Sequence, residues 1–533
     1  MSGLVPVVLA VAAGWGVVVS RSGGRAGSFG HRRPGPAQGA PGRSVLPGRT
    51  RWGAARSRPD DDPARWATPR DARPLAVRGP TPGRLSLGVA RRRLLAAERG
   101  HSVLVVGPTQ SRKTSGFAVP AILEWAGPVV AASVKSDLVR NTMAWRRRCG
   151  RVSVYDPMAV TGLARASWSP LQAAVTWEGA RRIAQSLTEV ARSSAGSMTD
   201  GDFWYSTAAK LLAPLLLAAA ASGRTMADVV RWIDTQEVDE VYDALMMSGD
   251  GPALQAARAS WARDDRQRSA VYTTAETVVE VFADPVVATS ECQPRADAGA
   301  DCAAGAAGAA GAAGAGASPA AVAGEAFDPV RMLDESGTLY LCAPAHDQRR
   351  LRPVFATLVA QVVEAAYERA SRLGSPLDPP LLVVLDEAAN VAPLAELDVL
   401  ASTAAGHGVQ LVTVWQDLAQ VHARYGARAG SVVNNHRVKV FLSGIADPGT
   451  LEHASALIGD TERRSVTTTV DGYGAASVTE SPAFRRLAPA DALRRIRPGE
   501  GVVVSGHLPP IRLALRPWQD DRALRARAEA DAT

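Results

Sequence analysis

Lysine is nearly missing from this chain: four residues in 533, against 56 arginines. With abundant alanine and glycine, this marks a gene rich in G and C, so the arginine excess reflects codon usage before function. It singles out Lys113, Lys135, Lys210 and Lys439, which persist against that bias. Cysteine is equally scarce, and Cys149, Cys292, Cys302 and Cys342 form no C-x-x-C pair. That excludes a zinc ribbon and a disulfide framework and fits a reducing interior. Long apolar runs are lacking too. The run at residues 4–19 has 16 residues, just short of the roughly 17–25 a spanning helix needs, and a polytopic membrane protein is excluded. An N-K-x-D motif is absent, which removes the base-reading element of a GTPase.

What is present supports a large folded body. An apolar fraction of 46% and a charged fraction of 21% exclude a disordered chain, and the length suits about three domains at roughly 100–200 residues each. The formal net charge is +8, but residues 1–100 hold 18 Arg and five acids, leaving −5 for the other 433 residues. The basic character therefore belongs to the N-terminal arm and is no nucleic-acid footprint on the body. Residues 4–19 have no positive charge before them, while Arg21, Arg25, Arg32 and Arg33 follow. That polarity is wrong for a secretory signal and right for an anchor with the bulk of the chain in the cytoplasm. Residues 1–20 are expected to be that anchor. Residues 21–73, rich in Arg, Pro and Gly, read as a disordered linker whose arginines lie on anionic lipid.

The body reads as a parallel α/β sheet interrupted by helices. Val-rich runs at 101–106, 128–134 and 151–155, with helical character over 136–148, predict alternating strands and helices over 74–174. From 175 to 290 the period becomes helical: Ile183, Leu187 and Val190 recur at spacings of four and three, and further apolar segments cover 211–221, 226–233, 238–247 and 270–282. This predicts an inserted all-α domain, with 211–221 too short to span a bilayer and so a buried helix. Residues 291–326, almost pure Ala and Gly in their middle, read as a flexible linker. Strand–helix alternation resumes over 327–516, with strands at 338–342, 381–385, 410–414, 438–442 and 502–504 and helices at 354–372, 394–403, 418–425 and 450–458. Residues 517–533 read as a tail.

Two segments carry chemistry. Gly107, Pro108, Thr109, Gln110, Ser111, Arg112, Lys113 and Thr114 follow the first strand and match G-x-x-x-x-G-K-[ST] except at Arg112. Backbone N–H groups of such a loop face phosphate oxygens, Lys113 would reach the β- and γ-phosphates, and the Thr114 hydroxyl would ligate Mg2+. Arg112 stands where the second glycine belongs. Either its dihedrals suit a side chain, which then points outward or reaches phosphate, or nucleotide binding is weakened. The second segment, L-L-V-V-L-D-E at residues 381–387, ends a buried strand in two carboxylates. Asp386 would hold Mg2+ and Glu387 would act as general base on the attacking water. The next strand ends in Gln416, placed to sense a γ-phosphate. The 273 residues between Lys113 and Asp386 demand a large insertion, which the helical block supplies. The L-S-G at residues 442–444 comes after the Asp-Glu strand, in the wrong order for an ABC ATPase.

Taken in order, these segments resemble the type IV coupling proteins, the TraG/TraD-like ATPases of conjugation and type IV secretion, from about residue 66 onward. The resemblance rests on W-A-T-P-R-D and G-R-L-S-L before the P-loop, then S-V-K-S-D-L at 133–138 and Y-D-P at 155–157. It continues with D-G-D-F-W at 200–204, L-D-E-A-A-N at 385–390, V-W-Q-D-L-A-Q at 414–420, I-G-D-T at 458–461 and L-P-P at 508–510. It implies a RecA-like P-loop core with an inserted all-α substrate-recognition domain, preceded by a membrane segment and a basic linker. It further implies an ATP- and Mg2+-dependent hexameric motor. Such a motor would couple single-stranded, relaxase-bound DNA or secreted proteins to a type IV secretion channel. One N-terminal apolar segment stands where the family usually has two. An arginine from a neighbouring subunit would complete such a site; Arg437 is the candidate, with Arg349 and Arg350 behind it. Two other readings stay open: a non-hydrolysing adaptor with a degenerate P-loop, and an FtsK-like double-stranded DNA translocase.

Overall fold

The computed structural model describes residues 63–195, 201–291, 323–392, 394–470, 473 and 476–530. The expected anchor, most of the 21–73 linker and most of the Ala/Gly segment lie outside them. Before the helical insertion the chain forms strands β1 (Ala76–Val77), β2 (Ser86–Ala90), β3 (Arg93–Ala96), β4 (Val103–Val106), β5 (Val129–Ser133), β6 (Val152–Tyr155) and β7 (Arg165–Ser167). After it come β8 (Ala323–Ala326), β9 (Thr338–Cys342), β10 (Leu381–Leu385), β11 (Val409–Trp415) and β12 (Val438–Leu442). The chain finishes with β13 (Asp460–Val470), β14 (Ala476–Arg486), β15 (Glu500–Ser505) and β16 (Ile511–Ala514).

Both α/β stretches build one twelve-stranded sheet, in the order β1-β3-β2-β16-β15-β12-β4-β11-β10-β5-β9-β6. The seven strands from β12 to β6 are parallel; the others add antiparallel. Strands covered on both faces need apolar residues at every position. This is why β4 and β10 read as unbroken Val/Leu runs, and why β5 and β11, apolar apart from Ser133, Gln410 and Thr413, are buried like them along their whole length. One face packs against Phe117, Ile122 and Leu138. The other is continuous with the core of the helical insertion through Trp168, Phe355 and Leu358.

In the insertion, helix Gly201–Ala221 packs against Trp177–Ala195 and the four helices from Met226–Asp234 to Asp265–Val279. It is 21 residues long and apolar enough to cross a membrane by length and composition, yet 61% of its most apolar window is buried inside the protein. The expectation that this helix is too short to span is thus corrected: its sequence starts ten residues before the Leu run, and burial is what marks it as a core helix. Helix Gly251–Trp261, not foreseen, buries Ala253, Ala257 and Ser260, small residues that leave little periodic signal. Asp250, Asp264 and Asp284 cap successive helices, and Thr225 and Asp228 form a capping box.

Three expected boundaries are corrected. Residues 63–73 are part of the body: Ala64 and Ala67 donate to the Asp460 and Pro510 carbonyls at 2.8 and 3.0 Å, and the Arg512 guanidinium lies 4.2 Å from the Trp66 ring centroid. The end of the Ala/Gly segment forms β8 on β7, where Glu325 pairs with Arg151 and Arg331. The tail folds back on the first helices, because Leu524 is buried and Arg516 bridges Glu124 and Asp521, at 2.8 Å each. The ribbon β13–β14, 11 residues a strand, is exposed along both faces. Its Ser/Thr-rich alternation buries nothing and so gave no apolar pattern.

Glu291 closes the helical insertion. One carboxylate oxygen accepts from Met226 N at 3.1 Å, the other has no partner among the described residues, and burial pushes its pKa up to about 8. The folded state thus keeps a proton that the unfolded chain releases near pH 4.5, so stability falls as pH rises from about 4.5 to 8. Glu291→Gln is expected to melt like the parent at pH 4.5 and to be more stable at pH 8.5, by on the order of a few kcal/mol. Parallel melts at the two pH values check this.

Candidate nucleotide site

The site forms where β4 ends between its parallel neighbours β11 and β12. Gly107 turns the chain there; its N–H donates to the Trp415 carbonyl at 3.0 Å. A Cβ on Gly107 would lie 2.7 Å from Ser111 Oγ and 2.9 Å from Leu442 Cβ, so only glycine fits. Ser111 Oγ donates back to the Pro108 carbonyl at 2.8 Å and braces the loop. Gln110 and Arg112 take φ values of +65° and +64°, the left-handed region that costs a side chain roughly 1–2 kcal/mol. Of the three expectations for Arg112, the outward side chain fits this geometry. Its guanidinium leaves the loop and pairs with Asp520 at 3.2 Å.

Lys113 is 7% exposed. Its ammonium folds onto the Gly107 and Pro108 carbonyls at 2.5 and 3.2 Å. Burial lowers its pKa, while Asp386, Glu387 and Asp417 oppose that shift. Thr114 begins the helix behind the loop, and its hydroxyl donates to Asp386 Oδ2 at 2.8 Å. Asp386 sits at the end of β10, and burial pushes its pKa up to about 6 against the Thr114 bond and the Lys113 charge. Its Oδ1 is buried with no hydrogen-bond partner among the described residues. A hard divalent cation suits that arrangement: an orphaned carboxylate oxygen beside a hydroxyl, both oxygen donors, next to a phosphate-type loop. Glu387 follows at φ +62°, an unusual conformation for a long side chain and one that gathers at functional sites.

Gln416 lies one residue beyond the Trp415 carbonyl that receives Gly107, so β11 places it between the P-loop strand and the Asp-Glu strand. Its side chain makes no hydrogen bond among the described residues; its N–H donates to Gln420 Oε1 at 3.2 Å. Gly107 to Thr114, Asp386, Glu387 and Gln416 are thus brought to one sheet edge. The arginine candidates are not. Arg350 is held by Asp284 and Asp347. Arg349 lies beside it on helix Gln348–Leu373. Arg437 precedes β12, whose Val438 pairs with Val103 at the start of β4, so it lies at the opposite edge of the sheet.

Two contacts had gone unread. Arg352 donates to the Asn390 carbonyl and side chain at 3.1 and 3.3 Å, bracing the loop after Glu387; the only signal was one arginine in an Arg-rich run. The segment after β16 lies against the P-loop helix: Trp518 N–H donates to the Ser115 carbonyl at 3.0 Å. Leu515 crowds Gly116, where an added Cβ would come within 3.0 Å of it.

Comparison with known proteins agrees with this geometry. A family model described as type IV secretory system conjugative DNA transfer matches residues 74–292. A second, described as the TraM recognition site of TraD and TraG, matches 380–498. The chain is 25% identical over 385 residues to the conjugal transfer protein TraG of Escherichia coli, covering 67% of this chain and 55% of that protein. It is 25% identical over 450 residues to protein VirD4 of Agrobacterium fabrum, covering 81% and 60%. It therefore spans between half and two thirds of the length of these curated relatives. Among solved structures, the bacterial conjugative coupling protein TrwBdeltaN70 in an unbound form superposes with a TM-score of 0.62 at 17% identity, over 85% of this chain and 92% of that one. The plasmid coupling protein TrwB in complex with ADP and Mg2+ gives 0.60 at 16%, over 85% and 93%. At such identities these two likenesses concern the fold.

Proposed function

Because this chain belongs to the type IV coupling protein family, we propose that it is an ATP-driven motor at the cytoplasmic membrane. It recruits single-stranded, relaxase-bound DNA or secreted proteins and drives them into a type IV secretion channel. The observation that carries this reading is the contact of Thr114 with Asp386, 2.8 Å across 272 residues of sequence, with the Lys113 ammonium buried beside it. Mg2+ would be held by Thr114 Oγ1 and Asp386, where it would neutralise developing phosphate charge. The loop N–H groups and Lys113 bind and orient the phosphates. Glu387 takes a proton from the attacking water, and Gln416 reports the γ-phosphate.

Arg437 stands too far from its own P-loop to serve it and is proposed to act on a second copy's nucleotide in a ring, taken as hexameric. The inserted helical domain, residues 175–290, is proposed to recognise substrate. Residues 1–20 anchor the chain, and the arginines beyond them lie on anionic lipid. The adaptor reading rested on Arg112 alone, and that side chain is turned toward Asp520.

ATP turnover by the full chain, with and without single- and double-stranded DNA, tests the motor. DNA-stimulated turnover supports it, and none in any condition refutes it. Preference for double strands would favour the FtsK-like reading. Arg112→Gly is expected to change turnover by less than about threefold, since it relieves roughly 1–2 kcal/mol of backbone strain while deleting one exposed ion pair. Turnover seen only in Arg112→Gly would restore the adaptor.

A further inference from the structure

The sheet edge at which the parallel strands begin holds an open cleft of about 720 Å3 that the P-loop chemistry does not use. It is walled by the start of β4 (His101), the helix Ala429–Asn435 (Asn435), the start of β12 (Arg437, Lys439) and the turn after β15 (His507). Among the described residues no carboxylate lines it. Glu98 lies at the margin, 3.5 Å from the His101 ring. Among the described residues neither Arg437 nor Lys439 is ion-paired. That sets them apart from Arg516, bridged by Glu124 and Asp521, and Arg231, met by Glu240.

Lys439 donates to the His436 carbonyl at 2.7 Å, which uses one of its three N–H groups. It is half-buried, and burial pushes its ammonium below the usual lysine range with no counter-charge opposing. A cation taken partly out of water without an anion is unfavourable. It is one of only four lysines in an arginine-rich chain. The Arg437 side chain makes no hydrogen bond or ion pair among the described residues and opens on the same space.

We propose that this cleft is a phosphate-binding site separate from the P-loop, with Arg437 and Lys439 as its charged ligands. His101 and His507 close around the same oxyanion from two other walls. A tetrahedral phosphate accepts donors from several directions at once, which suits cations and imidazoles on three walls. The cleft is also larger than a single carboxylate needs. The phosphate is that of a nucleic-acid strand or that of a free polyphosphate.

The test uses the full chain carrying Lys113→Ala, so that the P-loop does not bind the probes. Fluorescein-labelled oligothymidylate and sodium tripolyphosphate are titrated separately over a range of salt, against the same protein with Arg437→Gln and Lys439→Gln added. Binding of either probe is expected to weaken by about tenfold or more. For the strand, the salt slope should flatten by about 1.4, since each phosphate contact contributes about 0.7 on a single strand. Loss for the strand alone assigns the site to a nucleic-acid backbone; loss for tripolyphosphate alone assigns it to a polyphosphate. Equal binding of both probes before and after substitution overturns the proposal, as does no binding to the Lys113→Ala parent. If removing the Lys439 cap unfolds the chain, Arg437→Gln alone decides, with an expected slope change of about 0.7. Because no hydrolysis is measured, failure here leaves the motor reading intact, and the reverse also holds.

Discussion

Lys113→Ala is expected to reduce ATP turnover to the level of buffer, with nucleotide affinity falling alongside. Lys113 is buried, and among the described residues its ammonium is bound only by the Gly107 and Pro108 carbonyls. Those are weak partners for a charge, readily exchanged for phosphate oxygens. Three carboxylates, Asp386, Glu387 and Asp417, bear on it electrostatically; without the lysine they would repel an incoming polyphosphate. Removing one donor aimed at developing charge in a water-poor site typically costs about 2.7–4 kcal/mol, or 10²–10³ in rate. Here the loss of binding comes on top. Turnover within tenfold of the parent, in a variant that melts normally, would sink the assignment of this loop as the nucleotide site.

Glu387→Gln separates charge from shape. The side chain keeps its size and the backbone its left-handed turn, so the loop to Asn390 and its Arg352 brace persist. Nucleotide should still bind, because Lys113, Thr114 and Asp386 are untouched. Hydrolysis is expected to fall by about 10²–10⁴, the usual contribution of a positioned general base. Equilibrium binding of labelled ATP and a single-turnover assay give the two readings. Retained hydrolysis, within about threefold, would move the base role elsewhere. Loss of both together would mean that Glu387 supports the fold of the site rather than the chemistry.

Much of the site was legible because its residue types leave few alternatives. A Val-rich strand into Gly107, then Lys113 and Thr114, fixes a phosphate loop, and five apolar residues into Asp386 and Glu387 fix a strand tip. That Gln416 ends the next strand was legible too; that this strand, β11, lies between those two came only with the sheet order. Which way the Arg112 side chain turns was not legible, since its partner Asp520 stands 408 residues away. The antiparallel extension was missed for a related reason. β1, β2, β3 and β16 are each only partly buried, so their patterns lack the apolar runs of the central strands. Trp66 and Leu524 looked like parts of a linker and a tail because single apolar residues among arginines carry no period. Only their partners, Arg512 and the helices near the P-loop, reveal that they are packed.

The placement of β4 bears on how this protein is made. Its sheet neighbours β11 and β12 pair Val103 with Val412 and Val438, about 300 residues further along the chain. On the ribosome the strand that carries the phosphate loop therefore emerges long before either flank. All four of its residues are of the kind that stick to other chains. At 5–20 residues per second that interval is about 15–60 seconds, and non-local parallel pairing is slow in itself. A nascent chain of this protein thus has no finished nucleotide site to steady it. Its early half is the part that a chaperone must shelter until Val412 and Val438 arrive.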